Sequence, residues 1–241
     1  MKHKFWKWVH NEAPDEFGSS RTLFLNGEIS DETWWGDEVT PKQFRDELNA
    51  GTGDITLWIN SPGGDCFAAA QIYNMLMDYT GNITVKIDGL AASAASVIAM
   101  AGTTVCMSPV AIMMIHNPAT VAMGDRMAMQ KAIDMLNEVK ESIMNAYEIK
   151  SGLERKQISK MMDAETWLNA KKAVELGFAD SILFDENDDE DAGGEPAAML
   201  YTPMTVTNSL VQKLSPHCHA PVGEKKVKAA DLEQRLHLLI H

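Results

Sequence analysis

The chain has 241 residues, 45% hydrophobic and 23% charged, and a formal net charge of −13. That length and balance support a sizeable buried core, as one large domain or one domain with a tail. The acidic excess argues against a nucleic-acid binder that works by neutralising phosphates.

Residues 1–20 carry Phe5, Trp6 and Trp8 and read as an N-terminal arm or a frayed end. They hold basic residues but no apolar core of signal-peptide length. Residues 21–27 (RTLFLNG) predict a first strand that closes on a turn. Thr40 and Pro41 supply an N-cap and a first helical position, with Phe44 and Leu48 on one face. Residues 54–60 (DITLWIN) predict a buried strand that runs into Ser61-Pro62-Gly63-Gly64-Asp65 and then a helix. Ile83, Val85 and Ile87 alternate as a strand. Residues 88–102 (DGLAASAASVIAMAG) then read as a tight turn followed by a small-residue helix. Strands are predicted over 104–107 and 111–115, the second ending on His116-Asn117-Pro118. One long amphipathic helix covers about 125–150 and stops at Gly152. Its methionines (Met123, Met127, Met135, Met144) read first as core packing. Helices over 155–162 and 169–176 and a short strand over 178–184 complete the periodic part. The run DENDDEDAGGE at 185–195 cannot bury anything and predicts a solvated linker. A tail follows from about 196, with a weakly apolar patch at 210–214 and a short helix expected over 229–240.

Alternating strands and helices predict a parallel sheet with crossover helices. In such sheets, sites form at the carboxyl ends of the strands. SPGGD, GLAAS and His116 all fall at that edge. Taken singly, each has an ordinary explanation. Serine caps helix starts, SPGG makes a tight turn, and a lone histidine after a strand is usually structural. Together they supply a hydroxyl, a base and a Gly-Gly backbone whose N–H groups are unobstructed. The cysteines Cys66, Cys106 and Cys218 are far apart with no CxxC pair, which predicts neither disulfides nor a zinc site and suits a reduced compartment. His217-Cys218-His219 is too isolated to predict a metal site. No run reaches membrane-spanning length, so the expectation is a soluble, cytoplasmic protein with no membrane or nucleic-acid partner.

Three blocks in order, INSPGGD (59–65), GLAASAAS with its small-residue helix (89–102) and MMIHNP (113–118), resemble the proteolytic subunits of Clp proteases, the ClpP-like serine peptidases. A fourth block, ETWLNAKKAVELGFADSI (165–182), resembles the region after their long helix. The resemblance covers about 21–185, leaving a 186–195 acidic linker and a 196–241 tail outside it. It implies an α/β fold, the ClpP/crotonase-like spiral of repeated β-β-α units with a projecting long helix. It implies Ser93 as nucleophile, His116 as general base, and the N–H groups of Gly64 and Ala94 as oxyanion hole. Ser96, the competing hydroxyl, is expected to be structural. The family usually has aspartate where this chain has Glu165. Glu165 is the expected triad acid and Asp163 its alternative. No cofactor or metal is implied. The divergent N-terminus and appended tail are most similar to phage and prophage head-maturation proteases. The implied substrate is a capsid or scaffold precursor, and the implied assembly is a homo-oligomer of heptameric rings. A housekeeping subunit fed by an AAA+ unfoldase, and an idle structural member of the fold, are the alternatives.

Overall fold

A computed structural model describes residues 4–10, 21–30 and 41–184. The chain divides into two units, Met1–Asp188 and Asp189–His241, and all described residues lie in the first. The expected linker at 186–195, the tail and its His217-Cys218-His219 run lie outside the described residues.

The first half contains β1 (Trp6–His10), β2 (Arg21–Asn26), α1 (Pro41–Leu48), β3 (Ile55–Ser61), α2 (Cys66–Met77), β4 (Ile83–Ala92) and α3 (Ala94–Ala99). There follow β5 (Thr104–Met107), β6 (Ile112–Ile115), α4 (Arg126–Ser151), α5 (Arg155–Asp163), β7 (Thr166–Asn169), α6 (Ala170–Glu175) and β8 (Ser181–Ile182). Eight strands join in one sheet of order β1-β2-β3-β4-β5-β8, with β6 pairing to β4 and β7 pairing to β6. The pairs β2–β3, β3–β4, β4–β5, β4–β6 and β5–β8 are parallel; β1–β2 and β6–β7 are antiparallel. This is the mixed α/β architecture with a long helix that the sequence predicts.

Apolar alternation builds the core. Leu23 and Leu25 of β2, Ile55, Leu57 and Ile59 of β3, and Ile83, Val85 and Ile87 of β4 are all essentially inaccessible. Phe44 and Leu48 of α1 and Ala69, Ile72 and Leu76 of α2 cover them. Each such large side chain contributes about 1.5–3 kcal/mol through burial. The guanidinium of Arg21, itself buried, donates to the Leu48 and Gly51 carbonyls at 2.8 and 2.7 Å, ending α1 where its carbonyls lack helical partners.

Three departures from expectation bear on the site. First, β4 runs to Ala92, well past the predicted stop at Ile87. Its first half pairs with β5 over Thr84–Ile87, and its second half switches to β6 over Leu90–Ala92. Gly89, Ala91 and Ala92 permit this because their small size lets neighbours close in; a Cβ on Gly89 would sit 2.8 Å from Asn60 Oδ1. Second, Trp6–His10 is a strand at one end of the sheet, with Phe5 and Trp6 buried. Third, β7 was not predicted, and it lies antiparallel on β6. Of the helix methionines only Met144 is core; Met127 and Met135 are exposed on α4 and Met123 just before it. Within the described residues no helix is long and apolar enough to cross a membrane.

Candidate active site

Ser93 follows β4 and precedes α3. Its backbone has φ 55° and ψ −124°, a region that costs a non-glycine residue about 1–3 kcal/mol and persists only where surroundings enforce it. The enforcement is visible. Its N–H donates to the Met114 carbonyl at 2.9 Å, and its carbonyl accepts from the Ser96 N–H at 3.0 Å. Ser93 holds the N-cap position of α3, yet its side chain makes no capping hydrogen bond. Its Oγ instead lies 2.7 Å from His116 Nε2.

Register explains that meeting. Ala92 pairs with Met114 in the parallel β4–β6 ladder, so the chain leaves both strands at the same level. His116 is then the first residue beyond β6. Burial pushes its imidazole pKa below the ordinary value, while the charge of Glu165 works the other way. Burial is the larger effect, so the neutral ring is favoured. A neutral ring with a proton on Nδ1 accepts at Nε2 from the Ser93 hydroxyl.

The carboxylates follow from the second ladder. Ile115 pairs with Thr166 in the antiparallel β6–β7 pair, which sets Glu165 across from His116. Glu165 also has positive φ, 48°, and is exposed. One of its oxygens accepts from the Trp167 indole N–H at 3.2 Å. Among the described residues it makes no hydrogen bond to His116; the link is electrostatic. Asp163 is engaged elsewhere. It accepts from Lys140 Nζ at 2.5 Å and from Asn117 Nδ2 at 2.9 Å, and those two donors hold its carboxyl below the usual range. The two acids of the sequence expectation are therefore separated: Glu165 acts on the imidazole and Asp163 on a lysine and an amide.

The glycine loop is shaped from below. Ser61 Oγ donates to the Gly27 carbonyl at 2.6 Å and accepts from the Gly63 N–H at 3.1 Å. Ile29 clamps the loop: its N–H donates to the Gly63 carbonyl and its carbonyl accepts from the Asp65 N–H, both at 2.8 Å. Gly64 has φ 147°, and a Cβ there would lie 2.0 Å from the Ile29 carbonyl oxygen. A Cβ on Gly63 would meet the Ser93 Cβ at 2.7 Å and the Ala94 nitrogen at 3.0 Å. Glycine is thus required at both places, and the loop packs directly on the Ser93 turn. Among the described residues neither the Gly64 nor the Ala94 N–H donates to a protein acceptor. Ala94 opens α3, where backbone N–H groups have no helical partner.

Sequence reasoning missed the supports: the Ile29 clamp, the Ser61 hydroxyl and the Lys140–Asp163 pair. A polar residue buried in a strand is the signal that could have found Ser61. Ile29 carries no such signal, because its contribution is made by its backbone. Among the described residues, no three His, Cys, Asp or Glu side chains gather as a metal site.

Comparison with known sequences finds one family over most of the chain. The family profile described as Clp protease matches residues 10–186. The ATP-dependent Clp protease proteolytic subunit 1 of Chlamydia muridarum is 28% identical over 192 residues, covering 78% of this chain and 97% of that protein. The ATP-dependent Clp protease proteolytic subunit of Porphyromonas gingivalis is 33% identical over 168 residues, 68% of this chain and 73% of its own. That of Sorghum bicolor is 31% identical over 179 residues, 73% and 82% respectively. With a serine, a histidine and a glycine loop meeting at the ends of three strands, and a match spanning most of the chain, this protein belongs to the Clp protease family.

Proposed function

We propose that the chain is a serine endopeptidase in which Ser93 is the nucleophile, His116 the general base and Glu165 the carboxylate behind it. The observation that carries this is the 2.7 Å approach of Ser93 Oγ to His116 Nε2 from a turn that forgoes capping. His116 Nε2 takes the hydroxyl proton as Ser93 Oγ bonds to the peptide carbonyl carbon. The Gly64 and Ala94 N–H groups receive the developing oxyanion. The imidazolium returns its proton to the leaving amine as the C–N bond breaks, leaving an ester on Ser93. Water, deprotonated by the same imidazole, then hydrolyses that ester. Glu165 favours the imidazolium formed in each half-reaction. These steps are complete with protein groups and water.

The substrate of this reading is a capsid or scaffold precursor, and the enzyme is a head-maturation protease acting in the host cytoplasm or within the prohead. Support comes from the residues beyond 186, which lie past the family match. Assembly is into rings of identical subunits, with seven per ring on the family pattern. Incubating the protein with its capsid precursor and reading the new termini by mass spectrometry tests the substrate. Cleavage at defined sites that disappears with Ser93→Ala is expected; an intact precursor contradicts it. A second reading, a housekeeping subunit served by an AAA+ unfoldase, is favoured by the names of the relatives, which are ATP-dependent subunits. ATP-dependent degradation of a folded substrate would select it.

A further inference from the structure

Ser96 and Tyr147 form a buried polar chain that ends on the nucleophile turn. Ser96 lies in the middle of α3 and is fully buried. Its Oγ donates to the Ser93 carbonyl at 2.6 Å. The same Oγ lies 2.8 Å from the Tyr147 hydroxyl. A serine has one hydroxyl proton. With that proton given to the Ser93 carbonyl, Tyr147 is the donor of the second bond. The order is therefore Tyr147 O–H to Ser96 Oγ, and Ser96 O–H to the Ser93 carbonyl.

Tyr147 is well placed to be a fixed donor. It is 1% exposed and lies near the carboxyl end of α4, with its ring edge-on to Phe178 at 5.8 Å. Burial raises its hydroxyl pKa well above the ordinary value, so it keeps its proton. Accepting a hydrogen bond strengthens the bond that Ser96 donates. The Ser93 carbonyl belongs to the residue whose φ is 55°, so the chain acts on a peptide held in a sparsely populated conformation. Among the described residues, the other hydrogen bonds on that carbonyl come from the Ser96 N–H at 3.0 Å and the Val97 N–H at 3.4 Å, both longer.

We propose that Ser96 and Tyr147 are positioning residues for Ser93: Tyr147 orders the Ser96 hydroxyl, and Ser96 holds the Ser93 carbonyl so that Oγ stays on His116. This rests on the reading of Ser93 as nucleophile. It also makes the end of α4 a part of the catalytic framework, since Tyr147 is carried by that helix.

The test uses the full chain and follows peptide hydrolysis and the rate of fluorophosphonate labelling. Tyr147→Phe keeps ring and packing and removes only the donor. Ser96→Ala removes the link itself. Each is expected to lower kcat by about ten- to a hundredfold with KM nearly unchanged, the scale of loss when a reacting group is slightly displaced. Because Tyr147 acts through Ser96, the double variant should be no slower than Ser96→Ala. Ser96→Thr, which restores a hydroxyl, should regain part of the rate. Wild-type kcat in Tyr147→Phe and Ser96→Ala overturns the proposal, as does a full second loss on adding Tyr147→Phe to Ser96→Ala. If Ser96→Ala fails to fold, Tyr147→Phe decides alone: a normal labelling rate and kcat overturn the proposal. Absence of labelling in the wild-type enzyme is a different failure. It removes Ser93 as nucleophile, and this proposal with it.

Discussion

Two turns in this molecule place a non-glycine residue at positive φ beside the same histidine: Ser93 at 55° and Glu165 at 48°. They are held very differently. The Ser93 turn is enclosed by β4, β6 and α3, and its peptide groups are bonded on both sides. The Glu165 turn lies at the surface between α5 and β7. Its backbone N–H donates to the Met162 carbonyl at 3.1 Å, and Thr166 Oγ1 donates to the Met161 carbonyl at 2.7 Å. Among the described residues, the side chain's one hydrogen bond is from the indole of Trp167. The contrast shows a division of tolerance. A nucleophile must be placed to a fraction of an ångström. A carboxylate that acts through its charge needs only to be near.

Gly64→Ala attacks the rigid side and has the largest expected effect. The new Cβ would collide with the Ile29 carbonyl, and the loop must turn its N–H away from the oxyanion. A loss of about 10²–10³ in kcat is expected, the usual cost of one oxyanion donor. Steady-state kinetics on folded protein would check it, and an unchanged kcat would remove Gly64 from the oxyanion hole.

Glu165→Gln attacks the looser side and should cost less, about ten- to a hundredfold, against roughly 10⁴ where a buried carboxylate fixes the histidine tautomer. Asp163→Asn should change kcat by about threefold at most, since surface ion pairs of this kind contribute little. A larger loss in Asp163→Asn than in Glu165→Gln would exchange their roles.

The smallest effect is on pH. The base is the neutral imidazole, so kcat/KM should rise with pH through a midpoint below the ordinary histidine value of about 6.5. The Glu165 anion raises the His116 pKa, so Glu165→Gln should move that midpoint further down. A midpoint moved upward would mean that Glu165 is not the charge His116 feels.

The sequence shows the rigid side well and the loose side poorly, for a physical reason. SPGGD, GLAAS and IHNP are local strings, and each fixes its own turn. The long helix is equally local. Asp125 accepts from the Ala128 N–H at its start, and Gly152 ends it in the left-handed region at φ 69°. By contrast, the acid depends on how β7 pairs with β6, and TWLN has too little alternation to announce a strand. The extension of β4 to Ala92 is hidden likewise, because it depends on exchanging β5 for β6. At 178–184 the predicted strand shrinks to Ser181–Ile182, since the Phe178 and Ala179 N–H groups turn back to the Ala173 carbonyl. The core-packing reading of the helix methionines holds for Met144, while Met127 and Met135 lie on an exposed face. Helical spacing gives an apolar face, but only the end of α4 near Met144 and Tyr147 meets the core.

The central claim is that Ser93 is an activated nucleophile. A fluorophosphonate reacts with such a serine and not with a merely capping one. Peptide mapping of the labelled protein should give a single adduct on Ser93, lost in His116→Ala. No adduct, or an adduct on Ser96 that survives loss of the histidine, would contradict the account.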